Sequence, residues 1–129
     1  MTSEMLVQMA ADVRIKAYAP YSDFKVGAAL RVATGEVFTG CNVENVSYGL
    51  TICAERVAVG SAVQAGATEF DRLAIVSDSA EPVVPCGACR QVLAEFCPDL
   101  AIVSRTVTGV TAEFTLSALF PKPRQGILG

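Results

Sequence analysis

Residues 73–103, LAIVSDSAEPVVPCGACRQVLAEFCPDLAIV, decide the fold of this chain. The stretch opens and closes with short apolar runs, over 73–76 and 100–103, of the kind that form buried strands. Between them Pro85 precedes apolar residues at helical spacing, and Pro98 stops that pattern. A strand, a helix and a second strand in this order predict a right-handed crossover, and therefore a parallel portion of sheet in an α/β fold.

The sequence on either side continues the alternation of strands and helices. Before this stretch we predict a helix from Ser3 that is halted by Pro20, and a hairpin over 26–32 and 37–41 that turns at Thr34 and Gly35. A loop over 42–50 follows, and then a helix that is capped by Thr51 and reaches about Gly66. After the stretch we predict a strand over 112–115 and a helical turn over 116–120. No repeat, low-complexity tract or linker interrupts them. We expect a single domain spanning residues 1–129.

The composition predicts a folded chain that associates with copies of itself. Of the 129 residues, 52% are hydrophobic and 18% are charged, and the mean hydropathy is +0.44. A chain of this length buries roughly two thirds of the surface that its unfolded form exposes, so it can build a core without disulfides. Because so few charges are available to cover the outside, we expect part of the apolar surface to be hidden in a homo-oligomer.

The charges and the missing histidines exclude several classes of function. The net charge is −3 and the ten lysines and arginines form no basic run, so nucleic acid is not an expected partner. No stretch approaches the roughly 18 apolar residues of a membrane span, and no basic-then-apolar signal opens the chain, so we expect no membrane partner and a cytoplasmic location. The absence of histidine excludes Ser-His-Asp and Cys-His mechanisms, and leaves cysteine and carboxylates as the common metal ligands.

Chemistry is expected at two short motifs, C-A-E at residues 53–55 and P-C-G-A-C at residues 85–89. Both open predicted helices, where unpaired backbone N–H groups favour a thiolate over a thiol and so favour metal binding. Cys86 and Cys89 are one helical turn apart and face the same way. Cys53 would supply a third sulfur, and an odd total of five cysteines in a reducing compartment favours metal binding or catalysis over disulfides.

Other interpretations of the cysteines stay open from the residues alone. Cys86 and Cys89 could form a redox pair of the thioredoxin kind, or belong to a non-catalytic zinc module. Cys41 could close a structural zinc site, whereas Cys97 lies about 12 Å beyond Cys89 along the helix and should be out of reach. Without a fourth protein ligand, three thiolates leave one tetrahedral position for water, as catalytic zinc sites do.

Glu55 and Arg56 follow the first of these cysteines closely. Beside a zinc ligand, the Glu55 carboxylate can take a proton from water activated by the metal and return it to a substrate, as general base and then general acid. Arg56 could hydrogen-bond the sulfurs and offset their negative charge, or could be an ordinary solvated helix arginine, and the sequence favours neither.

The two motifs and two further segments resemble the cytidine deaminase family, in its short, homotetrameric, three-cysteine branch. The matching segments are C-A-E at 53–55, P-C-G-A-C-R-Q-V at 85–92, Y-S-D-F-K-V-G-A-A-L at 21–30 and T-G-C-N-V-E-N-V-S-Y-G at 39–49. These blocks stand in family order, and the resemblance covers nearly the whole chain. The resemblance implies a three-layer α/β/α sandwich with a mixed five-stranded sheet, and a zinc-dependent deaminase of cytidine and deoxycytidine that acts in pyrimidine salvage.

The resemblance also implies roles for individual residues. Cys53, Cys86 and Cys89 would bind one zinc ion per chain, and Glu55 would move protons while oxygen replaces the C4 amino group of cytosine, which leaves as ammonia. The residues that it places on the substrate are Ala54, whose N–H would donate to the pyrimidine O2, Asn42 and Glu44 at the sugar 3′-hydroxyl, Phe24 packed near the nucleoside, and Tyr48, which would reach a neighbouring subunit's site. Taken without the family, these side chains are polar turn formers and packing residues.

One departure from the family pattern lies near the C-terminus. Related sequences carry an aromatic residue, commonly phenylalanine, a few residues after a turn like the one at 119–121, and it stacks over a neighbouring subunit's substrate. Here Arg124 stands at that position, and either its guanidinium or Phe120 could supply the contact. A blasticidin-S-type deaminase shares the fold and the zinc motifs and is the nearest alternative enzyme, but the segment N-V-E-N at 42–45 argues against it.

Overall fold

A mixed sheet of five strands carries helices on both of its faces. The structure is a computed structural model and describes residues 2–124. In chain order the elements are α1 (Ser3–Arg14), β1 (Val26–Val32), β2 (Val37–Cys41), α2 (Ala54–Gln64), β3 (Phe70–Ser77), α3 (Gly87–Phe96), β4 (Ala101–Thr106), β5 (Thr111–Thr115) and α4 (Leu116–Leu119), with a 3-10 turn at Tyr48–Leu50. The predicted fold class is confirmed, and each predicted strand and helix is present with ends that differ by a few residues.

Only one pair of neighbouring strands in this part of the chain is parallel. The strand order is β2-β1-β3-β4-β5. β3 and β4 run parallel, with Leu73 opposite Ile102, and α3 connects them as the predicted crossover. β1 is antiparallel to both β2 and β3, and β4 is antiparallel to β5. Because β2 and β3 both run opposite to β1, these two strands point in the same direction.

The two faces of the sheet bury separate apolar clusters. On one face α1 inserts Leu6, Val7 and Ala10 against β1, β3 and β4. On the other, α2 and α3 pack over the larger cluster, which includes Leu30 and Leu73. Burying a leucine side chain in this way contributes about 1.5–3 kcal/mol. The predicted three-layer α/β/α sandwich is therefore confirmed, and no helix within residues 2–124 is long and apolar enough to cross a membrane.

A glycine in β2 lets α2 lie unusually close to the sheet. A Cβ atom added at Gly40 would lie 2.4 Å from the carbonyl oxygen of Ala54 and 2.5 Å from the backbone nitrogen of Ala58. Real Cβ atoms do not approach backbone atoms so closely, so only glycine fits there. This contact sets the height of the first turn of α2 above the sheet.

The start of α2 differs from the prediction. Thr51 was expected to cap this helix, but Cys53 occupies the cap position and its side chain makes no capping hydrogen bond. The Thr51 hydroxyl instead accepts the backbone N–H of Asn45 at 3.2 Å. Hydroxyl side chains are preferred caps on local grounds, whereas here a thiol takes the position because its sulfur faces the other sulfurs. The helix ends at Gln64, and Gly66 follows with a φ of +89°, which suits a glycine after a helix end.

Candidate metal centre and adjoining cavities

The direction of the strands explains why cysteines far apart in sequence meet. β2 and β3 point the same way, so the segments that leave their carboxyl ends emerge at the same edge of the sheet. The first segment leads to Cys53 at the start of α2, and the second leads to Cys86 at the start of α3. Cys89 follows in the first turn of α3. The sheet thus brings two helix starts together, where the partial positive charge of each helix favours thiolates.

The sulfurs of Cys53, Cys86 and Cys89 form a compact cluster. The Sγ atoms of Cys86 and Cys89 are 3.4 Å apart, those of Cys53 and Cys86 are 3.7 Å apart, and all three lie within 4.8 Å of one another. Among the residues that the structure describes, no other cysteine or carboxylate joins this group. Neither Cys41 nor Cys97 therefore supplies a fourth ligand. Three thiols without a fourth side chain match the donor chemistry of a zinc site that keeps a position open.

Arg56 lies against the same sulfurs. Its Nη2 is 3.7 Å from the Cys53 Sγ and 3.4 Å from the carbonyl oxygen of Thr51. A hydrogen bond from the Cys89 thiol, with help from Arg56, lowers the pKa of Cys53 to about 5. The same sulfur–sulfur bond, together with burial, raises the pKa of Cys89. The protein alone thus holds one thiolate firmly, and a divalent cation would displace the remaining thiol protons.

Glu55 is buried in the first turn of α2, next to the cluster but not part of it. Glu55 is 5% exposed, and its carboxylate does not belong to the cluster of three sulfurs that could hold a metal ion. Burial is the largest cause of a pKa raised to about 7. A carboxyl group in this environment can both hold and release a proton near neutral pH.

An inner cavity adjoins the cysteines and an outer cavity lies next to it, and the two share the walls formed by Phe24, Asn42 and Thr51. The inner cavity has a volume of about 270 Å³, and its remaining walls are Val26, Cys53, Ala54, Glu55, Val83, Val84 and Cys86. The outer cavity has a volume of about 510 Å³, and its remaining walls are Tyr21, Ser22, Glu44, Asn45 and Tyr48. All the residues predicted to touch substrate therefore line one cavity or both.

Sequence reasoning missed several of these walls. Val83 and Val84 form an apolar wall of the inner cavity, and the signal was the apolar run immediately before the P-C-G-A-C motif. Thr51 was interpreted as a helix cap, although it lines both cavities. Ser22 lies inside a segment that carried the family resemblance, but nothing in its own residue type pointed to a site.

Asn42 is held firmly between the two cavities. Its Oδ1 accepts the backbone N–H of Val26 at 2.8 Å, and its Nδ2 donates to the carbonyl oxygen of Phe24 at 2.8 Å. The residue is 8% exposed. An amide nitrogen has two N–H donors. One of them is bound to Phe24 and fixes the direction of the amide, and the other has no partner within residues 2–124 and is available to a ligand.

Glu44 and Tyr48 lie on the outer cavity in different environments. The Glu44 carboxylate accepts hydrogen bonds from the backbone N–H groups of Tyr21 and Ser22 and from the Ser22 hydroxyl. The Ser22 hydroxyl is the largest cause of its lowered pKa. Tyr48 is 90% exposed, and its side chain makes no such hydrogen bonds within residues 2–124.

The C-terminal segment is fixed to α3 as far as Arg124. Gln91 donates from Nε2 to the carbonyl oxygen of Arg124 and accepts its N–H at Oε1, at 3.2 and 3.0 Å. Phe120 packs against the larger core cluster, and neither Phe120 nor Arg124 lines the two cavities. Arg90 was not singled out from the sequence, yet it donates to the carbonyl oxygens of Pro85 and Leu119. Residues 125–129 lie outside the described part.

Comparisons with known proteins agree on one family. Residues 1–105 match the family model described as the cytidine and deoxycytidylate deaminase zinc-binding region. Cytidine deaminases of Halalkalibacterium halodurans and Sporosarcina psychrophila are 48% and 45% identical over 122 residues, which cover 94% of this chain and 92% and 90% of theirs. A crystal structure of cytidine deaminase from Burkholderia pseudomallei is 48% identical and superimposes with a TM-score of 0.92, covering 96% of this chain and 100% of that one.

Proposed function

Because the chain belongs to the cytidine and deoxycytidylate deaminase zinc-binding family, we propose that it is a zinc-dependent cytidine deaminase that converts cytidine and deoxycytidine to uridine and deoxyuridine plus ammonia. The observation that carries this proposal is the cluster of Cys53, Cys86 and Cys89 with Glu55 buried beside it on a cavity of about 270 Å³. A redox pair gives no reason for a third sulfur or for a buried carboxyl group next to it.

The three cysteines would hold one zinc ion per chain. When bound, the zinc supplies Lewis acidity that activates water for attack at neutral pH. Arg56 faces Cys53 and offsets part of the negative charge that three thiolates bring to the ion. Glu55 is placed to receive a proton at its carboxylate and to deliver it to the ring N3, which makes C4 electrophilic and where that proton remains. The carboxylate would then take a second proton from the hydroxyl group added at C4 and pass it to the amino group, which leaves as ammonia.

The remaining walls would bind the nucleoside. Ala54 is the first residue of α2, so its backbone N–H has no acceptor within the helix. This N–H would donate a hydrogen bond to the pyrimidine O2. Asn42 and Glu44 would bind the sugar 3′-hydroxyl, with the free N–H of the amide and the free acceptor position of the carboxylate. Phe24, which lines both cavities, would pack against the substrate between base and sugar.

The charges of the cavities favour a nucleoside over a nucleotide. The family model includes enzymes of both substrate classes. Within residues 2–124, no lysine or arginine lines either cavity, and the outer cavity carries the Glu44 carboxylate, whose pKa is lowered. A phosphate needs cationic or N–H-rich surroundings and would be repelled by an anion. These charges support our proposal of cytidine and deoxycytidine, rather than deoxycytidylate, as substrates.

We propose a homotetramer as the working assembly. Large apolar side chains are exposed along one short stretch, with Val46 83%, Tyr48 90% and Leu50 66% exposed. A contiguous exposed apolar patch favours association, and Tyr48 at the rim of the outer cavity would then reach a neighbouring chain's site. Light scattering on the purified protein tests the assembly directly.

The family relation supports a cytoplasmic enzyme of pyrimidine salvage with a single domain over residues 1–129.

The reaction is tested by ultraviolet absorbance with cytidine, deoxycytidine, cytosine, deoxycytidylate and blasticidin S. We expect cytidine and deoxycytidine to be deaminated. Free cytosine should react slowly, because it has no sugar to make the contacts with Asn42 and Glu44. Glu55→Ala should keep about one zinc per chain and lose at least about 100-fold in kcat, since proton transfer is deleted without deleting a ligand. Glu95→Ala, an exposed glutamate of α3, is the matched control. Retained turnover in Glu55→Ala would refute the assigned role, and preferred turnover of blasticidin S or deoxycytidylate would refute the substrate.

A further inference from the structure

Ser22 forms a hydrogen-bond relay on the wall of the outer cavity. Its hydroxyl donates to the Glu44 carboxylate and accepts the backbone N–H of Phe24 at 3.0 Å. A hydroxyl has one proton to donate. Because the N–H of Phe24 occupies a lone pair of the oxygen, the proton of Ser22 is directed at Glu44.

This relay completes the anchoring of both Glu44 oxygens. Oε1 accepts the backbone N–H groups of Tyr21 and Ser22 at 3.0 and 3.2 Å, and Oε2 accepts the Ser22 hydroxyl. A carboxylate has about four acceptor positions, so about one remains free toward the cavity. An anion held in this way can bind only a hydrogen-bond donor, such as a hydroxyl group.

The loop that carries Ser22 depends on the same bonds. Asp23 has a φ of +54°, in the left-handed region that side-chain-bearing residues seldom adopt. Such a backbone persists where the surrounding structure holds it. Here the ties are the N–H of Asp23 on the carbonyl oxygen of Ala19 at 3.0 Å, and the bonds of the preceding residues to Glu44. Glu44 and the loop therefore determine each other's position.

We propose that Ser22 is a positioning residue for substrate recognition: its hydroxyl sets the direction of the free Glu44 acceptor, and thereby the preference for a nucleoside with a 3′-hydroxyl. This inference rests on the proposed function. It assigns to Ser22 no contact with the reacting atoms. Loss of the hydroxyl should weaken binding of the sugar and leave the chemical step intact.

The size of the effect follows from a single hydrogen bond at an exposed position. Ser22 is exposed, so water competes with its bond to Glu44. Loss of one solvent-screened hydrogen bond of this kind should weaken affinity by about threefold to tenfold. A ligand without the 3′-hydroxyl makes no use of the Glu44 acceptor, so its affinity should change by less than about twofold.

Calorimetry with uridine and 3′-deoxyuridine on the zinc-loaded protein tests this inference. The variants are Ser22→Ala, Ser22→Thr, which keeps a hydroxyl at this exposed position, and Ser61→Ala, an exposed serine of α2, as control. In Ser22→Ala we expect the Kd for uridine to rise about threefold to tenfold and the Kd for 3′-deoxyuridine to change little. The KM for cytidine should rise, while kcat should stay within about twofold of the original value. Ser22→Thr and Ser61→Ala should resemble the original protein.

Several outcomes would overturn the inference. An equal loss for both ligands would give Ser22 a general structural role, and an unchanged Kd for uridine would give it none. A fall in kcat without a change in KM would place it in the chemical step. The proposed function is judged separately, by whether the unsubstituted protein deaminates cytidine, so that its failure and the failure of the Ser22 relay give different results.

Discussion

A methyl group at Gly40 should disturb the site without touching any of its residues. The added Cβ would lie 2.4 Å from the Ala54 carbonyl oxygen and 2.5 Å from the Ala58 nitrogen. Both are backbone atoms of α2, so no side-chain rotation can relieve the contact. Moving from 2.4 Å to the 3.4 Å of ordinary contact requires the helix to shift by about 1 Å.

This shift of the helix should lower the stability of the fold and should lower kcat more strongly. Overpacking of a core position costs about 1–3 kcal/mol, which lowers Tm by about 4–12 °C for a chain of this size. Cys53 and Glu55 flank Ala54 and would move with it, whereas Cys86 starts a different helix and would stay. Because a 1 Å misplacement at a reacting centre can cost about 100-fold, we expect kcat to fall by about that factor in Gly40→Ala.

Two other glycines provide controls for thermal unfolding, zinc content and cytidine turnover. Gly60 lies on the exposed side of α2 with nothing within 4 Å of its added Cβ, so Gly60→Ala should stabilise the helix by about 0.5–1 kcal/mol. Gly27 faces α1, with its Cβ 2.0 Å from the Ala10 carbonyl oxygen, so Gly27→Ala should lower Tm while the folded fraction keeps its kcat. If Gly40→Ala behaved like Gly60→Ala in Tm and kcat, the close approach of α2 would not be what sets the site.

Three further results are expected. Removing the metal with a chelator should abolish turnover, and added zinc should restore it at about one ion per chain, measured by metal analysis and ultraviolet assay. Arg56→Gln should lower kcat or zinc affinity by about 10-fold, because the sulfurs lose a hydrogen-bonding cation; unchanged values would leave Arg56 an ordinary surface residue. Arg90→Met should destabilise the protein by about 2 kcal/mol in thermal unfolding through the bonds lost to Pro85 and Leu119, and an unaltered Tm would contradict this.

The metal cluster was predictable because its signals are local. Cys86 and Cys89 are one helical turn apart in the sequence itself, and both cysteine motifs stand where the apolar pattern predicts a helix start. The crossover between β3 and β4 followed from the order of strand and helix patterns in the same way. Cys53 needed an additional step, since only the common direction of β2 and β3 brings its helix start to the same edge.

The features that escaped prediction depend on partners distant in sequence. Glu44 accepts hydrogen bonds from residues 21 and 22, but the residue types in segment 42–45 do not indicate that these would be its partners. Thr51 was misassigned because its hydroxyl suits a helix cap, while the requirement that the Cys53 sulfur face Cys86 is a tertiary one. The role of Gly40 likewise depends on a helix that begins 14 residues later, at Ala54. Residue type and spacing predict which groups carry chemistry, and packing decides how they are held.

Two carboxylates in adjoining cavities are given different abilities by their surroundings. Glu55 is buried, and burial raises its pKa to about 7, whereas Glu44 is only partly buried and the Ser22 hydroxyl lowers its pKa. A carboxyl group that titrates near neutrality can give and take a proton, but one that stays anionic can only accept hydrogen bonds. A ligand with hydroxyl donors at one end and a basic ring nitrogen at the other therefore satisfies both groups in one orientation only. Under the proposed function, the ring would then lie at the cysteines and the sugar at Glu44, so the arrangement that binds the nucleoside would also select the end that reacts.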